Sequence, residues 1–230
     1  NPPYSIGQKS ANDNAQNQKY EFMEKRIYET YGNSSATSIK ALHDSYIKAL
    51  RWASDRLNAE YGGIIGFITN SGWLDSNGMD VFRKSLSAEF TDIYVFNLRG
   101  AIRGRSGETA KREGQNVFDI MTGVAIILLV KNPKNGQQSQ QAIIHYADIG
   151  DYLSRKDKFD IMKKAHSIRG VMFEEILPNE HGDWINQRND SFSTFIPVEP
   201  DKKFNELAKS FFSINSLGCN TNRDVWMYNS

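Results

Sequence analysis

Residues 123–131 are Gly-Val-Ala-Ile-Ile-Leu-Leu-Val-Lys, and this stretch decides the fold. Its seven consecutive apolar residues are too few to cross a membrane, and they leave neither face of a strand polar. The stretch therefore predicts a strand that is buried on both faces. Strands of this kind occur in sheets that carry helices on both sides, so we expect an α/β protein with a central sheet.

Two further apolar runs precede this stretch. Residues 64–69 and 92–98 each predict a strand, and the apolar spacing of residues 79–90 predicts the helix between them. The third strand follows the second without room for a helix, which favours an antiparallel arrangement of the two. A turn over residues 132–136 then predicts a return strand over residues 142–146.

The remaining segments predict more helices and one boundary. Apolar and charged residues interleave over residues 19–31, and helical spacing continues from residue 39 towards an end near Gly62 and Gly63. A charged helix is predicted from residue 151 to about residue 167, with an irregular aromatic stretch beyond it. This change in character predicts two parts, residues 1–150 and an extension over residues 151–230.

Composition excludes several classes of protein. The net charge of +1 means that affinity for nucleic acid has to come from a local basic patch. One cysteine, Cys219, excludes a disulfide framework, and the four histidines show no spacing typical of metal ligands. Because there is neither a run of transmembrane length nor a signal peptide, the sequence favours a cytoplasmic protein without a membrane partner.

The first four residues, Asn1-Pro2-Pro3-Tyr4, suit the chemistry of a planar amino group. Such a group is a poor nucleophile, because its lone pair is delocalised into the attached ring. The Asn1 side-chain oxygen and the Pro2 carbonyl can accept its hydrogen bonds, and proline restricts the backbone so that both acceptors converge. Acceptors set in advance lower the barrier without a general base, and Tyr4 offers a ring on which a flipped base stacks. The alternative is an accidental match in an extended tail, which paired prolines favour.

Four blocks in this order resemble the adenine-specific DNA methyltransferases. They are the first four residues, residues 63–70, the pair Val117-Phe118 and residues 122–126. Residues 221–228 resemble more specifically the single-chain type I restriction–modification enzymes, known as type ISP. The resemblance implies that Asn1 and Pro2 accept hydrogen bonds from the target amino group, that Tyr4 stacks on the flipped adenine, and that Phe118 contacts the base from another side. Ordinary packing is the alternative role for Phe118.

The resemblance also implies a fold and a missing part. The fold would be the C-terminal half of a Rossmann-like methyltransferase sheet, mixed, with an antiparallel last strand and a partly irregular C-terminal extension. Enzymes of this family bind S-adenosylmethionine through a glycine-containing turn and an acidic residue that precede the Asn-Pro-Pro-Tyr block. Residues 100–107 contain glycines after a strand, but no helix is predicted to follow them. We therefore expect a fragment that binds no cofactor and is inactive alone. The cofactor-binding half, nuclease, helicase-like motor and target-recognition region would belong to the rest of the parent polypeptide.

A basic loop over residues 99–116 is the candidate contact with double-stranded DNA. Its cations are Arg99, Arg103, Arg105, Lys111 and Arg112. Such a loop can contact phosphates and supply an affinity that depends on salt but little on sequence. The alternative is a solvated loop that Glu108 and Glu113 partly neutralise.

Two other functions stay open at this point. Amino groups of protein glutamine or of RNA pose the same electronic problem, although the extension past residue 150 favours the DNA enzymes. A non-catalytic DNA-binding module is the other alternative. The stretch His181-Gly182-Asp183-Trp184 is predicted to be a turn with one packed tryptophan, in preference to a recognition loop.

Overall fold

The computed structural model describes residues 1–2, 20–32, 42–133, 141–188, 191, 194–196 and 210–211. The chain divides into two compact units, residues 1–187 and residues 188–230. In the second unit the Thr194 hydroxyl donates a hydrogen bond to the Ser191 carbonyl (2.7 Å). The sheet and the α-helices described below lie in the first unit.

Five strands form one mixed sheet. They are β1 (Gly63–Asn70), β2 (Asp92–Arg99), β3 (Val124–Lys131), β4 (Ile143–Asp148) and β5 (Glu174–Ile176). Their order is β1-β3-β2-β4-β5, and β3 is antiparallel to both of its neighbours. Strand β4 is parallel to β2, and β5 is antiparallel to β4. The predicted α/β class, the mixed sheet and the antiparallel third strand are confirmed.

The predicted return strand is present, but it does not pair with β3, the strand that precedes the predicted turn. Strand β4 pairs with β2, with Asp92 opposite Ile143 and Asn97 opposite Asp148. Strand β3 has no free edge for it, because β1 and β2 already pair with its two sides. Strand β5 was not predicted, since three residues, Glu-Glu-Ile, give no alternating pattern.

Five α-helices accompany the sheet in the described residues. They are α1 (Glu21–Ile27), α2 (Ser45–Ser54), α3 (Asp80–Glu89), α4 (Gly107–Glu113) and α5 (Arg155–Ala165). A π-helical turn over Tyr28–Gly32 continues α1. Helix α2 ends well before the predicted end at Gly62, because the Asn58 side-chain oxygen accepts hydrogen bonds from the Glu60 and Tyr61 amides and forms a turn. No helix of the described residues is long and apolar enough to span a bilayer.

Helix α4 corrects the prediction that no helix follows residues 100–107. Its sequence, Gly-Glu-Thr-Ala-Lys-Arg-Glu, has no apolar stripe, so periodicity could not reveal it. The helix carries Glu108 in its first turn and Lys111 and Arg112 in its last turn, which is the charge order that a helix dipole favours.

Helices cover both faces of the sheet, as predicted. Residues of α1, α2 and α3 share one hydrophobic core with Ile93 and Val95 of β2. Met162 of α5 packs against a second core that contains Phe96 and Leu98 of the same strand. This alternation along β2 is what a strand buried on both faces requires. The boundary predicted near residue 150 stays a prediction, and α5 and β5 continue the first unit beyond it.

A buried arginine ties helix α3 to the stretch 181–184. The fully buried Arg83 guanidinium forms an ion pair with Asp183 (2.8 Å) and donates to the Gly182 carbonyl (2.7 Å). It also donates to the Trp73 and Ser76 carbonyls, each at 2.8 Å. The buried Trp184 ring meets the Trp73 ring edge-on at 5.3 Å. The prediction of a turn with one packed tryptophan is therefore confirmed.

Replacing Arg83 with methionine should lower the free energy of unfolding by about 3–5 kcal/mol, because the buried Asp183 carboxylate loses this guanidinium. Urea denaturation of the full chain measures the change. The matched control is Arg169→Met at an exposed position, which should shift the free energy of unfolding by less than about 0.5 kcal/mol. Equal effects of the two substitutions would contradict the structural role of Arg83.

Candidate functional site

Three strands of the sheet end at the same edge. Strands β1, β2 and β4 run in one direction, because β1 and β2 are both antiparallel to β3 and β4 is parallel to β2. A groove of about 1070 Å³ opens at their carboxyl ends, where β3 begins. We call it the arginine groove, and its charged lining residues are Arg99, Arg103, Arg105, Arg112, Asp75, Glu108, Glu113 and Asp148. Ligands of open α/β sheets bind at this kind of edge.

Arg99 ends β2 in an unusual backbone conformation. The ladder shifts between Asn97 and Arg99, and the φ of Arg99 is 56°, in the left-handed region that costs a non-glycine residue about 1 kcal/mol or more. The Asn97 side-chain oxygen accepts a hydrogen bond from the Arg99 amide (3.0 Å) and supports this conformation. The Arg99 guanidinium then reaches Asp148 (2.6 Å) and Asp151 (2.5 Å).

The charge of Arg99 is fixed by these carboxylates. Burial lowers the pKa of the guanidinium, but the hydrogen bond to Asp148 and the charges of Asp148 and Asp151 outweigh that effect and raise the pKa. Arg99 is thus a permanent cation whose charge is already compensated inside the protein.

Glu113 and Lys158 hold the loop between β2 and α4. The Glu113 carboxylate accepts a hydrogen bond from the Ala101 amide (3.0 Å) and forms an ion pair with Arg105. The fully buried Lys158 ammonium, from α5, donates to the Glu113 carbonyl (3.0 Å) and to the Leu98 carbonyl (2.8 Å). Burial lowers the pKa of Lys158. These contacts hold the segment 98–113 at both of its ends, although residues 102–104 and 106–109 within it are exposed to solvent.

Asn116 connects that wall to the loop of Phe118. Its buried side-chain amide donates to the Gly100 carbonyl (3.1 Å) and to the Thr122 carbonyl (2.7 Å). Its side-chain oxygen accepts a hydrogen bond from the Phe118 amide (2.8 Å). Gly100 has a φ of +85°, and a Cβ there would lie 2.9 Å from the Asn116 Cα, so this approach requires glycine. The Phe118 backbone is held in this way while its side chain is exposed.

The five predicted DNA-binding cations are not equivalent. Arg99 pairs with Asp148 and Asp151, Arg105 with Glu113, and Arg112 with Asp151 (3.0 Å). Arg103 and Lys111 are exposed, and within the described ranges their side chains form no ion pair. Arg103 lines the arginine groove, whereas Lys111 does not.

The predicted catalytic residues are only partly described. Asn1 is exposed and Pro2 is partly buried. Tyr4 lies outside the described residues, as do residues 221–228. A shared pocket of Asn1, Tyr4 and Phe118 therefore stays a prediction.

Several residues of the groove carried no signal in the sequence. The Tyr146 hydroxyl accepts a hydrogen bond from Asn97 (3.1 Å) and donates one to Asp148 (3.1 Å). Burial raises the pKa of the Tyr146 hydroxyl, so it keeps its proton and remains a donor. Asp148 and Asp151 pair with Arg99 and Arg112, and of the two glutamates considered as neutralising partners, Glu113 pairs with Arg105. The one available hint was that both aspartates follow a predicted strand.

No metal site is found among the described residues, and the expectation that the chain binds no S-adenosylmethionine stays a prediction. The described residues contain no group of three or more histidine, cysteine or acidic side chains placed to hold a metal ion. S-adenosylmethionine calls for a glycine turn after one strand and an available acidic residue at the end of a parallel neighbour. The parallel neighbours in this sheet are β2 and β4, and Asp148 at the end of β4 is bound to Arg99.

Replacing Lys158 with methionine should lower the free energy of unfolding by about 1–3 kcal/mol, because two buried carbonyls lose a charged donor. Hydrogen exchange measured by mass spectrometry should become faster in residues 99–114 and stay unchanged in β1. Lys164→Met, at an exposed position in the last turn of α5, is the control and should alter neither. Unchanged exchange in residues 99–114 would show that Lys158 does not hold this loop.

Three solved structures are similar to this chain over most of its length. It is 44% identical to the ATP-dependent type ISP restriction–modification enzyme LlaBIII bound to DNA, over 87% of this chain, with a TM-score of 0.79. It is 43% identical, over 87% of this chain and with a TM-score of 0.77, to a nuclease-deletion mutant of the type ISP enzyme LlaGI in complex with a DNA substrate mimic. It is 34% identical to DrdV in a cryo-EM structure of its DNA complex, over 98% of this chain, with a TM-score of 0.81.

The similarity covers only a small part of each of those proteins. This chain spans 13% of the LlaBIII chain, 16% of the LlaGI chain and 22% of the DrdV chain. No protein-family model and no curated protein matches it. Sequence identity and backbone agreement together nevertheless confirm the predicted relationship: over most of its length, this chain is related to one segment of the type ISP restriction–modification enzymes.

Proposed function

We propose that this chain is the target-base side of an adenine-specific DNA methyltransferase within a restriction–modification system. The observation that carries the proposal is the arginine groove, whose wall is tied through Asn116 to the exposed Phe118 loop. Two related enzymes and DrdV hold DNA or a DNA mimic in their structures, which supports DNA as the ligand of this edge of the sheet.

In this proposal residues 1–4 and Phe118 contact the same adenine. The Asn1 side-chain oxygen and the Pro2 carbonyl accept hydrogen bonds from the exocyclic amino group, while Tyr4 and Phe118 contact the flipped base. Two fixed acceptors localise the lone pair of the amino group and do not need to remove a proton before the methyl group transfers.

The methyl donor of such enzymes is S-adenosylmethionine, and this chain spans only 13–22% of the similar enzymes. We therefore propose that the chain acts together with the remaining regions of a larger enzyme. Those regions would include the cofactor-binding half, the nuclease and helicase-like regions, and the target-recognition region. The chain alone would be inactive.

The charge pairing decides which cations are available to duplex DNA. A guanidinium that already has a carboxylate partner gains little from a phosphate, because the new contact replaces an existing one. Arg99, Arg105 and Arg112 are of this kind and shape the groove. Arg103 and Lys111 are exposed and keep their charge available, so the proposal assigns the phosphate contacts to them.

Charge reversal at Arg103 or Lys111 should weaken binding of the chain to duplex DNA several-fold. Each substitution should also flatten the plot of log affinity against log salt concentration by about 0.9 for each lost phosphate contact. Fluorescence anisotropy with a labelled duplex at several salt concentrations measures both effects. The control is Lys25→Glu on helix α1, whose side chain is 77% exposed. If both variants bind duplex DNA with the same affinity as the control variant, Arg103 and Lys111 do not contact its phosphates.

Methyl transfer by the complete protein that contains this sequence tests the chemistry. Labelled S-adenosylmethionine should methylate adenine amino groups in duplex DNA, and Asn1→Ala should reduce the rate by about a hundredfold or more, as loss of a preorganised polar contact does. Asn77→Ala, an exposed asparagine before α3, is the control and should retain the rate. Transfer only to RNA or to a protein glutamine would contradict the proposal, and DNA binding without any transfer would favour a non-catalytic module.

A further inference from the structure

A second groove, of about 840 Å³, lies beside the arginine groove. Met121 lines both grooves, so they are neighbours across one side chain. The second groove runs between the start of α5 and the loop that carries Phe118, with Ile102, Asp119, Met121, Arg155, Lys156 and Phe159 among its lining residues. We call it the aromatic groove.

Large apolar side chains in the aromatic groove face water. Phe159 is 48% exposed, Met121 52% and Ile102 37%. The Phe118 ring, on the loop that forms one wall, is 43% exposed. Burial of these side chains against a flat apolar surface would lower the free energy, because it removes apolar area from water. An exposed phenylalanine ring also offers a face on which another ring can stack.

The charges around the aromatic groove are positive in excess. Arg155 donates to the Asn116 carbonyl (2.9 Å) and forms an ion pair with Asp119, so its guanidinium is held in place. Lys156 is exposed, and in the parts of the chain that the structure describes its side chain forms no ion pair. The aromatic groove thus sets two cations against one carboxylate, whereas the arginine groove balances four arginines with four carboxylates.

We propose that the aromatic groove binds an unpaired nucleotide of the DNA, with its base stacked on Phe159 and its phosphate near Lys156. This inference rests on the proposed function for DNA as the ligand, and it adds the kind of DNA that this groove accepts. The bases of a duplex are already stacked on each other, so the Phe159 ring can stack only on a base that has left the duplex. Proteins bind single-stranded nucleic acids with exposed aromatic side chains that lie beside cations.

The test compares single-stranded and duplex DNA on the full chain. Fluorescence anisotropy with a labelled oligothymidine strand and with a duplex of equal length measures both affinities for the unmodified chain, Phe159→Ala and Lys156→Glu. Phe159→Ala should weaken single-strand binding about tenfold, the effect of losing one stacked base, and should change duplex binding less than twofold. Lys156→Glu should weaken single-strand binding and flatten its salt dependence.

Two controls separate a local effect from a general one. Lys163→Glu, exposed on the same helix, should leave single-strand binding unchanged, and so should Phe22→Ala, whose ring on α1 is 82% exposed. Ultraviolet cross-linking of a bromodeoxyuridine strand should place the label on Phe159, which lines the aromatic groove and not the arginine groove. Three results would overturn this inference alone. They are duplex binding together with a single-strand affinity that Phe159→Ala does not change, equal losses of affinity for both ligands, and cross-links confined to residues that line only the arginine groove. If the unmodified chain binds no DNA of either kind, the inference fails together with the DNA-binding part of the proposed function.

Discussion

Pairing of β3 on both of its sides is the constraint on which the rest of the structure depends. Four of its eight residues, Val124, Ala125, Ile127 and Leu129, have no exposed surface, and β1 and β2 occupy its two edges. Because β3 is antiparallel to both neighbours, β1 and β2 run in the same direction. Strand β4 then finds its place beside β2 and not beside β3. The carboxyl ends of β1, β2 and β4 therefore meet at one edge of the sheet. The arginine groove opens at this edge, and the aromatic groove lies beside it.

Buried polar groups convert this edge into a shaped site. Lys158 reaches from α5 to carbonyls at the end of β2 and the end of α4, and Asn116 joins the glycine turn to the Phe118 loop. Charged groups inside a protein are costly to leave without partners, so each of these contacts restricts the loop to one arrangement. The arginines that line the groove are largely compensated by Asp148, Asp151 and Glu113. The exposed cations Arg103, Lys111 and Lys156, together with the aromatic groove, are the parts of the surface that we propose for nucleic acid.

The sequence predicted the parts of the fold that rest on local patterns. Strands β1, β2 and β3 were found because short continuous apolar runs predict strands, although Ile64 of the edge strand β1 is exposed, and α3 was found by its apolar spacing. Helix α4 and strand β5 were missed, since one is polar on all sides and the other has three residues. The pairing partner of β4 was not predicted, because strand order is decided by edges that distant segments occupy. At the site, the basic loop over residues 99–116 was predicted, but the aspartate partners of its arginines were not. The Arg99 partner Asp148 lies 49 residues along the chain, and no local pattern connects the two.

The most direct test of the account is a hydrogen-exchange footprint of the chain with and without saturating duplex DNA. Binding at the carboxyl edge of the sheet should slow exchange in residues 99–123, which form the walls between the two grooves. Helices α1, α2 and α3 should exchange at the same rate in both samples. Protection confined to those helices, or no protection in residues 99–123, would contradict the claim that this edge is the DNA-binding side of the protein.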